Sequence, residues 1–174
     1  MFWELIATFV AGFAAAGIAL ALGKIMGGRL PRWVMPLAAG AAMIAMAIYN
    51  EYGWFPRTQG NLPEGMEIIE TVENRVWYRP WTYVQPYVER FVAVDMPSIR
   101  THEGQPDHRL GDVYLFGRWA PVHKLPVLAD CAGGRRAALT DGISFAADGS
   151  VTGVDWADVA GDDPIVATMC GDGS

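Results

Sequence analysis

The sequence predicts a membrane-anchored α+β protein, in which a two-helix transmembrane hairpin precedes a small, mostly antiparallel β domain with a short C-terminal helix. Two observations predict this class. Two apolar segments near the N-terminus carry almost no charge, and the rest of the chain divides into short β-branched and aromatic runs separated by turn residues. We divide the chain into the hairpin at 1–49, a linker at 50–65 and the β-rich domain at 66–174.

The apolar segments predict transmembrane helices at about residues 3–22 and 33–49. A helix that crosses the hydrocarbon core needs about 20 mostly apolar residues, and the stretch 5–22 contains no charged residue. The turn at 23–32 contains glycine, proline and every base of the hairpin. We therefore expect this turn at a membrane surface.

Lys24, Arg29 and Arg32 set the expected orientation, because basic residues in short loops stay in the cytoplasm. Both chain ends and the main domain then lie in the periplasm of a two-pass protein of the bacterial inner membrane. A cleaved signal peptide is the competing interpretation, because Ala19-Leu20-Ala21 resembles a cleavage site. The acidic Glu4 stands where such a peptide carries bases, which favours a retained helix.

Small residues recur at every fourth position along both apolar segments. They allow helix backbones to approach closely, which drives helix association in lipid. The predicted packing residues are Ala7, Ala11, Gly12, Ala15, Gly17, Ala19, Ala38 and Ala42. Gly17 lies off the main stripe, so an external third helix is one interpretation and packing within the hairpin alone is the other.

The segment after the linker predicts a meander of strands. Strands are expected at 66–71, 87–96, 111–118 and 122–129, followed by a hairpin of 142–145 with 151–156 and a closing helix at 164–170. The dipeptide Asp148-Gly149 is a strong hairpin-turn signal. Asp163 before Pro164 is typical of a helix start.

Cys131 and Cys170 are the only cysteines, and both lie in the domain predicted to be outside the cytoplasm. Disulfides persist in such an oxidising compartment. One Cys131–Cys170 disulfide is therefore expected. A redox or metal pair is the alternative, but there is no C-x-x-C motif and no histidine nearby in sequence.

The charge distribution limits the class of partner. Residues 50–174 hold 18 acids and 10 bases, a net charge of −8. A nucleic-acid-binding domain needs a basic surface instead. A cationic periplasmic protein such as cytochrome c is a candidate partner, and a charged surface that only maintains solubility is the simpler interpretation.

The stretch 76–91 is unusually rich in aromatic residues and arginine. Such residues are enriched in the centres of protein interfaces and also at lipid headgroups. The candidate interface residues are Trp77, Tyr78, Arg79, Trp81, Tyr83 and Tyr87. Three interpretations stay open: the core of the sheet, a partner surface and a lipid surface.

His102, Asp107 and His108 lie within seven residues and could hold a metal ion. Their spacing does not place them on one face of a helix, and an exposed polar loop is the alternative. The chain contains no nucleophile elbow, no H-E-x-x-H and no phosphate-binding loop. We therefore predict no catalytic residue, no metal and no cofactor.

Four runs resemble uncharacterised membrane-anchored periplasmic proteins of alphaproteobacteria: NEYGWFPRT, LPEG, ETVENRVWYRPWTYVQPYVERFVAVD and GDVYLFGRWAP. In general plan the chain is also similar to accessory subunits of bacterial respiratory complexes. The resemblance implies a non-catalytic accessory subunit of a larger membrane complex, such as a cytochrome oxidase or a cytochrome bc-type complex, with its membrane subunits and lipid as partners. A membrane-anchored periplasmic assembly factor is the first alternative. A periplasmic enzyme or metal-binding protein using His102, Asp107 and His108 is the second.

Overall fold

A computed structural model describes residues 2–139, 144–146, 149–159 and 161–171. The chain divides into two compact units, residues 1–60 and residues 61–174. The first unit contains α1 (Phe2–Ile25) and α2 (Val34–Gln59). The second contains β1 (Met66–Asn74), α3 (Trp81–Val84), β2 (Tyr87–His102), β3 (Gln105–Gly117), β4 (His123–Asp130), β5 (Arg135–Ala138), β6 (Ser144–Phe145), β7 (Val151–Thr152), β8 (Ala157–Asp158) and α4 (Pro164–Cys170).

Both N-terminal helices are long and apolar enough to cross a membrane, by length and composition. The turn between them begins where Gly27 and Gly28 adopt φ angles of 68° and 76°. The Gly28 N–H donates to the Gly23 carbonyl at 2.9 Å, which satisfies a carbonyl at the end of α1. Glycine suits this position because side chains with a Cβ rarely adopt a left-handed backbone.

The second helix is ten residues longer than the sequence predicted. Residues 50–59, which we expected in the linker, continue α2 to Gln59. Pro56 lies in the last turn of α2 and removes one i→i−4 hydrogen bond there, but the helix continues to Gln59. The segment between α2 and β1 therefore contains only residues 60–65.

The second unit is built on a six-stranded antiparallel sheet in the order β1-β2-β3-β4-β5-β8. The predicted meander and the predicted β3–β4 hairpin are confirmed, although β2 and β3 extend farther than expected. The predicted hairpin near the C-terminus is present as β6 paired with β7. Part of that prediction, residues 142–143 and Asp148, lies outside the described residues.

The short helix α4 covers one face of the sheet. Its Met169 is fully buried among Val94, Val113 and Val127, which alternate toward this face of β2, β3 and β4. Gly111 permits this packing, because a Cβ there would lie 3.0 Å from Met169 Cε. The helix thus completes the core that the sheet alone could not bury.

Both ends of α4 are held by charged side chains. The Asp163 carboxylate accepts hydrogen bonds from the N–H groups of Ile165 and Val166, at 3.0 and 3.1 Å. Arg109 donates to the Met169 carbonyl at 2.9 Å at the other end. An acid at the start and a base at the end of a helix both complement its dipole.

Candidate docking surfaces

The small residues of α1 divide into a half-buried set and an exposed set in the helix pair. Ala7, Ala11, Ala15 and Ala19 are half-buried, and Ala38 and Ala42 of α2 are half-buried as well. Gly17 is exposed, and a Cβ added there would meet no atom within 4 Å. The hairpin therefore leaves the Gly17 face of α1 open.

Gly12, in contrast to Gly17, is buried in the helix pair. It is the buried residue of α1, and a Cβ there would lie 2.9 Å from both Cγ and Cε of Met43. Gly12 thus lies in the contact between α1 and α2, directly against Met43. A glycine suits that face because Met43 occupies the space into which a side chain would project.

The open end of the hairpin carries polar groups that the sequence did not place together. Arg57 donates to the Glu4 carboxylate at 3.3 Å and to the Asn50 carbonyl at 3.1 Å. Glu51 is buried at the same end of α2. The Arg57–Glu4 ion pair joins the start of α1 to the end of α2. Glu4, the acid that argues against a signal peptide, therefore also links the two helices.

The aromatic stretch forms the connection between β1 and β2. Trp77 is 83% exposed and Val84 is 89% exposed, while Tyr78 and Tyr83 each expose more than half of their surface. Trp81 and Arg79 are half-buried. Tyr87 differs from the other candidate interface residues, because it is 5% exposed and belongs to the core of the domain.

The connection between β3 and β4 lies at the same end of the sheet. The strand registers pair Asn74 with Tyr87 and Arg90 with Gly117, so both connections leave the sheet at neighbouring positions. The Arg118 N–H also donates to the Glu89 carbonyl at 2.9 Å. The second connection adds an exposed Trp119. We call residues 75–86 and 118–122 together the aromatic–arginine tip.

Thr82 fixes the shape of the tip. Its side chain is fully buried. Its hydroxyl accepts from the Val76 N–H at 3.1 Å and donates to the Arg79 carbonyl at 2.8 Å. The hydroxyl bridges the two sides of the connection, so the exposed aromatic side chains project from an ordered backbone.

Guanidinium groups lie over two of the exposed rings. The Arg79 guanidinium is 5.4 Å from the Tyr78 ring centre, and that of Arg118 is 5.1 Å from the Trp119 ring centre. Such contacts hold a cation against an aromatic face. Arg118 is only 5% exposed and Arg79 is half-buried, so the tip exposes its aromatic rings beside Arg75 and part of Arg79.

A cavity of about 460 Å³ opens beside the tip. Its lining includes Val72, Arg90, Leu115, Trp119, Pro121 and His123. Because Leu115 and Val72 are both exposed, the apolar surface of the tip continues into this opening.

His102, Asp107 and His108 do not meet as a metal-binding group. His102 and His108 line one cavity of about 280 Å³, and Asp107 is not part of its lining. The His102 Nδ1 accepts from the Gly104 N–H at 3.1 Å, and the His108 ring lies 5.6 Å from the Trp156 ring. Within the described ranges no three His, Cys, Asp or Glu side chains converge as ligands.

The predicted Cys131–Cys170 disulfide is present, with the two Cα atoms 5.5 Å apart. It ties the end of α4 to the turn between β4 and β5. Asp130 orders the same turn: it accepts from the Gly133 N–H at 2.8 Å and from Arg135 at 2.6 Å. Burial alone would raise the pKa of Asp130, but these hydrogen bonds and the charge of Arg135 outweigh it and lower the pKa below 3.8.

Comparison of the chain with family models, with curated proteins and with solved structures found no match.

Proposed function

We propose that the chain is a non-catalytic accessory subunit of a larger membrane complex. The observation that carries the proposal is the division of the hairpin faces: Met43 closes the Gly12 face of α1, and the Gly17 face stays open. A transmembrane helix from another subunit could approach closely there, because a glycine permits backbone contact in lipid. A respiratory-chain complex, of the cytochrome oxidase or cytochrome bc type, is the best-fitting class from architectural likeness alone.

The proposed location is the bacterial inner membrane, with the β domain and both termini in the periplasm. The disulfide supports an oxidising compartment for the domain. The basic turn between α1 and α2 supports a cytoplasmic position for residues 23–32. The two arguments are independent, because one uses charge in the first unit and the other uses covalent chemistry in the second.

Substitution of Gly17 by Leu tests the attachment. The bulky side chain should separate the neighbouring helix from α1, while the hairpin, which does not use this face, stays inserted. We expect the variant chain to stop co-purifying with its complex from native membranes in mild detergent, and the complex to keep most of its catalytic activity. Ile18→Leu, at the next exposed position of α1, is the matched control and should co-purify like the unmodified chain.

Two results would contradict the proposal. Unchanged co-purification of the Gly17→Leu chain would exclude this face as the attachment site. Loss of catalysis in a complex that still contains the variant would contradict a non-catalytic role. A transient, substoichiometric association would favour the assembly factor over the subunit.

A further inference from the structure

The aromatic–arginine tip differs in charge from the domain that carries it. Residues 61–174 hold 17 acids and 9 bases, a net charge of −8. The tip contains Arg75, Arg79 and Arg118 and no acid, a formal charge of +3. The rest of the domain therefore carries −11, whereas the end where the aromatic residues are exposed carries a positive formal charge.

We infer that the tip docks on the headgroup layer of an anionic lipid bilayer. Tryptophan and tyrosine are the side chains that favour the boundary between hydrocarbon and water, because an apolar ring and a polar group occupy the two phases. The exposed Arg75 and the half-buried Arg79, which lies over the Tyr78 ring, place positive charge at the depth of lipid phosphates. The inference does not depend on the proposed function.

The shape of the tip favours lipid over an acidic protein. Trp77 and Val84 are more than four-fifths exposed and both project from the β1–β2 connection, and Trp119 projects from the neighbouring β3–β4 connection. Projecting side chains enter a fluid headgroup layer without a matching pocket, whereas a protein partner must supply one for each. The buried Thr82 hydroxyl holds the backbone of the β1–β2 connection, so little backbone entropy is lost on insertion.

The bilayer is also within reach of the domain. Only residues 60–65 separate α2 from β1, and six residues span at most about 20 Å. The tip follows the far end of the nine-residue β1, about 30 Å along the strand, so the tip reaches the bilayer when β1 leans toward it. If the apolar helices cross a membrane, the domain is held at a high effective concentration beside headgroups. A weak headgroup affinity is then sufficient for stable contact.

A fluorescent probe at position 84 tests the inference in the full chain. Val84→Cys labelled with bimane is reconstituted into liposomes whose lipids carry headgroup spin labels, made of phosphatidylcholine alone or mixed with phosphatidylglycerol. Glu103→Cys, labelled in the same way at the exposed turn between β2 and β3, is the matched control. We expect strong quenching at position 84 and weak quenching at position 103 when phosphatidylglycerol is present.

Two variants in the position-84 background separate the contributions. Arg75→Gln should weaken tip occupancy about fivefold, the effect of one cation at an anionic surface, and Trp77→Ser should weaken it in both lipids. Both side chains are exposed, so the fold of the domain is unaffected.

Equal quenching at positions 84 and 103 would overturn the inference. Equal quenching at position 84 in neutral and anionic liposomes would contradict the inferred preference of the tip for anionic headgroups. A probe at position 84 that is shielded in native membranes but not in either liposome would assign the tip to a protein partner and overturn the lipid assignment.

Discussion

Single side chains order the backbone of two connections in the second unit. Thr82 closes the β1–β2 connection through its hydroxyl, and Asp130 closes the β4–β5 turn through its carboxylate. Both groups satisfy backbone N–H groups that the connections leave without a strand partner. The expected effect of removing either one follows from the rule that a buried donor without an acceptor is costly.

Thr82→Val should loosen the tip without changing the sheet. Valine fills the same space but leaves the Val76 N–H without its acceptor, at a cost of about 1–3 kcal/mol. Amide hydrogen exchange of residues 76–84 should become faster, and exchange in β2 and β3 should stay the same. Thr82→Ser keeps the hydroxyl and is the matched control. Slow exchange in the valine variant would show that other contacts order the tip.

Asp130→Asn should lower the stability of the domain at neutral pH, because Arg135 loses its ionised partner. The pKa of Asp130 is lower in the folded protein than its ordinary 3.8, so the carboxylate stabilises the fold above that value. This contribution is lost as the pH falls from about 3.8 through the lower folded pKa. The stability difference between the native protein and the variant should therefore shrink over that acid range.

Urea unfolding followed by near-ultraviolet circular dichroism measures the difference. Asp112→Asn is the matched control, because its partner Lys124 is 53% exposed and an exposed ion pair contributes about 0–1 kcal/mol. A difference that persists unchanged at low pH would contradict the charge argument.

At the scale of elements, periodicity predicted what is local and missed what depends on distant residues. Asp163-Pro164 located α4 at its observed bounds, because a helix cap is a local signal. Residues 50–59 contain Gly, Pro and Asn and predicted a linker, yet they are helical and their Arg57 reaches Glu4 at the far end of α1. A contact between residues 53 positions apart leaves no pattern in a sequence window.

In the aromatic–arginine tip, too, the sequence predicted local features and missed those that depend on strand pairing. The aromatic stretch stood out from composition, but Tyr87 could not be separated from Trp77 because both are aromatic. The register of β1 with β2 makes the first a core residue and leaves the second on the connection. Trp119 and Arg118 were not predicted for the tip, since only the antiparallel order of β2 and β3 brings the second connection beside the first.

The disulfide should matter most for α4. Cys131→Ser or Cys170→Ser opens a link between residues 39 positions apart, and the chain-entropy estimate for such a loop is about 4 kcal/mol. Because Met169 beside Cys170 fills the core, loss of the link should expose that core as α4 detaches. In both variants we expect faster amide hydrogen exchange in β3 and unfolding at a lower urea concentration. An unchanged stability in both variants would show that the packing of Met169 alone holds the helix.

At the scale of the whole molecule, the two units differ in what each requires of its surroundings. The first carries apolar side chains around α1 that the hairpin leaves exposed, including Phe9, Phe13 and Leu20. The second carries acidic groups and a disulfide. The requirements of both units are met when α1 and α2 lie in lipid and the domain lies in an oxidising aqueous compartment.

Reporter fusions test the direction of that arrangement. Alkaline phosphatase folds only where its own disulfides form, so a fusion after Ser174 or Gly60 should be active and a fusion at Gly28 should not. The reason is the basic turn, since Lys24, Arg29 and Arg32 resist translocation while Glu4 has little influence. Replacing the three bases by Gln should weaken this preference and raise the activity of the Gly28 fusion. Active Gly28 and inactive Ser174 fusions in the unmodified chain would place the domain in the cytoplasm, where the Cys131–Cys170 bond could not persist, and would contradict the proposed location.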